Sequence, residues 1–143
     1  REFAEKVRPL MRKFLLPEIE AGIQGNTDSE YLFAVLRQLL PKHGGDIAGS
    51  ISSLFDQLRL WGGDNCGLFN IIVSNGQDIV ATRHGFGGQC PSLYLGQDGL
   101  GMGMGEGWVI SSEPMSKDAD WNAVPQYHMV SMEVGKAPII SAL

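Results

Sequence analysis

Cysteine is scarce in this sequence, with two in 143 residues, Cys66 and Cys90. Two are too few for the disulfide framework of a small secreted scaffold. Free core thiols in a reducing, cytoplasmic setting account for them. That is the preferred reading; a single pair in an oxidised protein is the alternative, which spacing does not exclude. Long apolar runs are absent as well. No stretch approaches the roughly 18 consecutive apolar residues of a membrane-crossing helix. Basic residues are the minority charge, 11 Lys and Arg against 16 Asp and Glu, for a formal net charge of −5. The signs are mixed along the chain, so the basic stripe of a nucleic-acid binder is missing. The three histidines, His43, His84 and His128, show no metal-ligand spacing with the cysteines, whereas a zinc site needs three or four converging ligands. Neither a metal nor another cofactor is expected.

What is present is an ordinary core-forming composition, 43% hydrophobic, at a length that suits one domain. Residues 2–16 carry Phe3, Val7, Leu10, Met11, Phe14 and Leu15 at helical spacing. Pro9 inside this stretch predicts a kink or two shorter helices, and Pro17 and Gly22 end it. A second helix is expected over residues 28–40, with Leu32, Phe33, Leu36, Leu39 and Leu40 on one face and Pro41 as the stop. A third is expected over residues 46–60, burying Ile47, Ile51, Leu54, Phe55 and Leu58.

After Trp61 the pattern turns strand-like. Residues 68–74 and 78–84 are β-branched and apolar, and Asn75-Gly76 lies between them. That dipeptide is a strong hairpin signal, because a type I′ turn needs positive φ at both centres. Further strands are expected at residues 92–95, 108–112, 127–133 and 138–140. The 19 glycines cluster most densely in a loop over residues 96–108. There, Gly99, Gly101, Gly103 and Gly105 alternate. The spacing is not that of a dinucleotide-binding loop, and no βαβ unit surrounds it. Helices first and an antiparallel meander second give an α+β class. Ser111-Ser112-Glu113 follows an expected strand and is not a nucleophile elbow. By composition it is a strand end turning at Pro114.

Thr27-Asp28-Ser29-Glu30 fits a capping box. Thr27 covers a free backbone N–H, and Glu30 reaches back to the N–H of Thr27. Asp28 then sits in the first turn, where the helix dipole favours negative charge. This accounts for all three residues structurally. A carboxylate held still at a helix start is also a good receptor for a ligand ammonium group, and the two readings are compatible.

GNTDSEYLFAVL resembles the G-T-T-D-S-E segment of class II glutamine amidotransferases. More narrowly it is similar to the branch of the glutathione-degrading amidotransferase subunit and the ergothioneine-pathway amidohydrolase. FNIIVSNGQDIVATRHGF looks like that branch's hairpin, SLYL like its S-L-Y-Y stretch, and WVISSEPMSKDADWNAVPQYHMVSME like its A-S-E-P and W-x-x-V-P segments. The resemblance implies an N-terminal-nucleophile hydrolase-like αββα sandwich, incomplete in this chain. Residues 1–143 would be the carboxyl-side part of a single such domain. It implies cleavage of the γ-glutamyl amide of glutamine or a γ-glutamyl compound by an amino-terminal Cys lying outside this chain. Its motif assigns Asp28 to the substrate α-ammonium, with Thr27 beside it and Ser112 as a supporting contact.

The family's oxyanion Asn-Gly and carboxylate-binding Arg match no residue here. Asn75-Gly76 falls at a later hairpin, and Arg83 is read as structural or as a support to the site. His84 replaces a usual Tyr. The chain begins at Arg1 without an initiator Met or signal-peptide pattern, so a longer parent polypeptide is expected. The expected partners are a glutamyl small molecule and the missing amino-terminal half or a partner subunit. The alternative is a non-catalytic subunit or degenerate domain that binds a protein.

Overall fold

The computed structural model describes residues 2–63, 65, 67–97, 107–115 and 120–143. Cys66 and the alternating glycines 99–105 lie outside the described residues. The chain divides into two compact units, a helical one up to Gly67 and a β unit from Leu68.

In the helical unit, α1 (Glu2–Phe14) is a single helix that continues through Pro9. The division into two helices does not occur. Val7, Met11 and Leu15, four residues apart, are buried, while Pro9 is exposed on the other side. Burying three such side chains is worth about 1.5–3 kcal/mol each. That outweighs the roughly 3 kcal/mol penalty of an interior proline. A short helix, α2 (Pro17–Glu20), then starts at Pro17, with the proline in its first turn.

Helix α3 (Asp28–Leu39) begins where expected, but its buried face differs. Tyr31, Ala34, Val35, Leu36 and Leu39 are buried, whereas Phe33 is 55% exposed. The inward stripe runs through Tyr31 and Val35, one turn apart, and the expected face was rotated towards Phe33. Pro41 does not stop the chain at once. It opens a 3-10 turn, Leu40–His43, which ends at Gly44 in the left-handed region.

Helix α4 (Ile47–Gly62) is capped by Asp46, whose carboxylate accepts the N–H groups of Ala48 and Gly49 at 3.1 and 3.0 Å. All five apolar residues expected on its inner face are buried.

Helices α1, α3 and α4 pack on one another. Two polar devices fix α1 in place. Gln38 of α3 donates to the Phe14 carbonyl at 2.8 Å and accepts the Leu16 N–H at 2.7 Å. It thereby serves backbone groups that the end of α1 leaves open. Lys6 donates to the Gly62 carbonyl at 3.2 Å, a cation at the carboxyl end of α4. Phe14 and Trp61 meet edge to face at 5.3 Å.

Among the described residues the β unit holds a five-stranded and a three-stranded sheet. The first contains β1 (Gly67–Phe69), β2 (Ile72–Ser74), β3 (Asp78–Phe86), β7 (His128–Glu133) and β8 (Ile139–Ala142). Its order is β1-β3-β7-β8, with β2 also paired to β3. The second has the order β5-β4-β6, built from β4 (Tyr94–Gln97), β5 (Trp108–Ser111) and β6 (Trp121–Ala123). A simple meander is thereby corrected. The chain leaves the first sheet after β3, builds the second, and returns as β7 beside β3.

The expected strand at residues 68–74 is two strands. At the break, the Ile71 N–H donates to the Thr82 hydroxyl instead of a ladder carbonyl, at 3.2 Å. The Asn70 side chain leaves the sheet to donate to the Ser92 carbonyl at 2.6 Å. The following turn also differs from expectation. Asn75 N–H bonds to the Asp78 carbonyl, so Gly76 and Gln77 are its centre. Gly76 alone has positive φ, +90°. That is the demand of a type II′ turn rather than I′. Asn75 serves instead as the acceptor for the N–H groups of Gln77 and Asp78.

Ala81 and Val130 from one sheet, Leu95 from the other, and the flanking Leu93 and Val124 form one buried cluster. The two sheets therefore share an apolar core.

Candidate functional site

Asp28 is the first residue of α3, and Thr27 is its N-cap in extended conformation. The capping box is complete. The Thr27 hydroxyl accepts the Glu30 N–H at 3.3 Å, and Glu30 accepts the Thr27 N–H at 3.2 Å. Glu30 takes the Gly25 N–H as well, at 2.8 Å. These bonds, chiefly the one from the Thr27 backbone, hold the Glu30 carboxyl below its ordinary range. They stabilise the ionised form because N–H dipoles point at it.

The box leaves the Asp28 side chain for other work. It lies on the stripe of Tyr31 and Val35, which faces inward, yet the Asp28 side chain remains 46% exposed. One of its oxygens, Oδ1, accepts both Nε (3.0 Å) and Nη2 of Arg8 from α1. The Arg8 guanidinium also lies over the ring of buried Tyr31, 5.8 Å from its centroid. Arg8 and Asp28 line an open cleft of about 390 Å³ with Ala4, Glu5 and Pro9. The site is thus an ion pair at the rim of a cleft, held by a capped helix on one side and a packed helix on the other.

Arg8 is the residue that sequence reading missed. It stands 20 residues from Asp28, and no local pattern joins them. The available signal was modest: Arg8 directly follows buried Val7, so it lies at the border of the apolar stripe of α1.

The other candidates fall elsewhere. Ser112 is exposed just past β5, in the β unit, as is Glu113. The Glu113 N–H reaches the Ser111 hydroxyl at 3.4 Å. The structure joins Thr27 to Asp28 and leaves Ser112 in the other unit. Arg83 donates to the carbonyls of Pro91 (2.7 Å) and Val124 (2.5 Å), tying two loops of the β unit together. His84 is buried and packs edge to face with Phe86 and Tyr127. Cys90 is a buried free thiol. Among the described residues there is no group of three or more His, Cys, Asp or Glu that could hold a metal. Among them, too, no helix is long and apolar enough to cross a membrane.

No family model and no curated protein matches this sequence. Solved structures do match. One is a glutamine aminotransferase class-II domain protein from Silicibacter pomeroyi, with a TM-score of 0.74 and 24% sequence identity. The match covers 96% of this chain and 61% of that protein, so this chain spans less than two thirds of its neighbour's length. At that identity the likeness is one of fold: the helices and sheets described above follow the plan of a glutamine aminotransferase class-II domain protein.

Proposed function

We propose that this chain is part of a class II glutamine amidotransferase-like hydrolase that cleaves the γ-glutamyl amide bond of glutamine or a γ-glutamyl compound. Asp28 receives the α-ammonium group of the substrate. Thr27 holds the helix entrance at which it sits. The observation that carries the reading is the half-exposed carboxylate of Asp28 at the rim of a cleft. The likeness of fold to a glutamine aminotransferase class-II domain protein supports the reaction class.

In this reading the attacking Cys is supplied from outside these residues. Its sulfur bonds to the γ-carbonyl carbon, ammonia or an amine leaves, and water releases glutamate from the thioester. Cys90 is a poor candidate for that role, because its thiol is buried in the β unit. The reading keeps the protein in the cytoplasm and its ligand a glutamyl small molecule.

The experiment is steady-state hydrolysis by the full polypeptide that contains this chain. Asp28→Asn keeps the side-chain shape and removes the charge. Losing one charge-assisted bond to the substrate amine raises KM by roughly ten- to a hundredfold. An unchanged KM for glutamine and for γ-glutamyl substrates would remove Asp28 from the site.

A further inference from the structure

We propose that Arg8 is a positioning residue for recognition of the substrate amine, acting through Asp28; this rests on the function proposed above. Arg8 spends two donors on one carboxylate oxygen, Oδ1. A carboxylate offers two oxygens, and the usual match to a guanidinium fork engages both. The one-oxygen grip turns Asp28 so that Oδ2 is left to accept from a ligand ammonium group.

The helix that carries Arg8 is fixed, and the guanidinium has a ring to rest on. Val7 and Met11 anchor its helix in the core, the Tyr31 ring lies beneath the guanidinium, and Gln38 ties the end of α1 to α3. The carboxylate is thus oriented from both of its ends, by the capping box through its backbone and by Arg8 through its side chain. Preorganisation of this kind raises affinity by cutting the freedom lost on binding.

The geometry poses a choice of sign. Arg8 either orients Asp28 for the ligand or competes with the ligand for it. Orientation predicts weaker binding when Arg8 is removed; competition predicts tighter binding.

The test uses the full polypeptide, with glutamine and its desamino analogue glutaramate as probes. Arg8→Ala raises KM for glutamine roughly tenfold, with the effect in KM rather than kcat. It narrows the preference for glutamine over glutaramate, which a loss of stability alone does not do. Arg8→Lys keeps the charge without the two-nitrogen grip and recovers part of the loss. In an Asp28→Asn background the Arg8→Ala effect vanishes, as coupled residues require. Should Arg8→Ala fail to fold, Arg8→Lys with the same two probes answers the question.

A fall in KM on removing Arg8 would overturn the proposal in favour of competition. So would an unchanged glutamine-to-glutaramate preference in a variant with lowered Tm, which would make Arg8 a helix-to-helix tie only. If Asp28→Asn alters KM while neither Arg8 variant does, Arg8 fails and the Asp28 reading stands. If Asp28→Asn has no effect, the function proposed above fails first.

Discussion

At the scale of the residue, the structure separates two acids that the sequence sets side by side. Glu30 serves the fold: it accepts N–H groups from Thr27 and Gly25 and is thereby held in its ionised form. Asp28 makes no part of that box and is turned to Arg8 and the cleft. The capping function was legible because a capping box is a local pattern with fixed spacing. The pairing with Arg8 was not, because it depends on where two helices cross. The lowered carboxyl range of Glu30 carries a prediction with a definite sign. Its folded pKa lies below the ordinary value of 4.5, so its stabilisation is complete above that pH and is lost as pH falls through it. Glu30→Gln should therefore lower Tm most near neutrality, and the gap to the wild type should close on acidification below about 4.5. Thermal melts of both proteins between neutral pH and pH 3 check this. A gap that stays constant would mean that the ionised form is not what the box stabilises.

At the scale of the element, strands depart from expectation where a backbone group finds a different partner, a backbone angle leaves the β region or a ring takes up space. The strand at residues 68–74 breaks where the Thr82 hydroxyl takes the Ile71 N–H. Strand β7 begins at His128 rather than Tyr127 because Tyr127 has φ +60°, outside the β region. The Tyr127 ring compensates by packing against His84, and its carbonyl accepts the Leu143 N–H at 2.8 Å. Strand β6 had no clear pattern in sequence. Its place is set by Trp121, whose ring lies against Gly96 on the neighbouring strand. A Cβ at Gly96 would stand 2.9 Å from that ring. Gly96→Ala should therefore destabilise the protein by about 1–3 kcal/mol, as overpacking does. Denaturant melts measure the cost, and a second change, Trp121→Leu, should reduce the penalty of the alanine. A neutral Gly96→Ala would mean that the indole has room to shift.

At the scale of the whole molecule, the helical unit and the β unit each have their own core. Their fold follows that of a solved protein whose length is only partly matched by this chain. The proposed chemistry makes a prediction at this scale. An electrophilic glutamine analogue should label the full polypeptide at a cysteine outside residues 1–143, leaving Cys90 unmodified until the protein is unfolded. Peptide mapping by mass spectrometry checks it. Labelling of Cys90 or Cys66 in the native state would move the nucleophile into this chain.

The sequence by itself determined the class of each half, the three main helices, the presence of a hairpin ahead of β3 but not its turn type, and the helix cap at Thr27. These rest on periodicity and on turn and cap chemistry within a few residues, which are local properties. Only the tertiary structure decided that Pro9 stays inside a helix, that Phe33 faces outward, that β3 pairs with β7 across a second sheet, and that Asp28 meets Arg8. Each of these depends on which faces of the elements meet. That is settled by the packing of elements far apart in the chain, where no local pattern reaches.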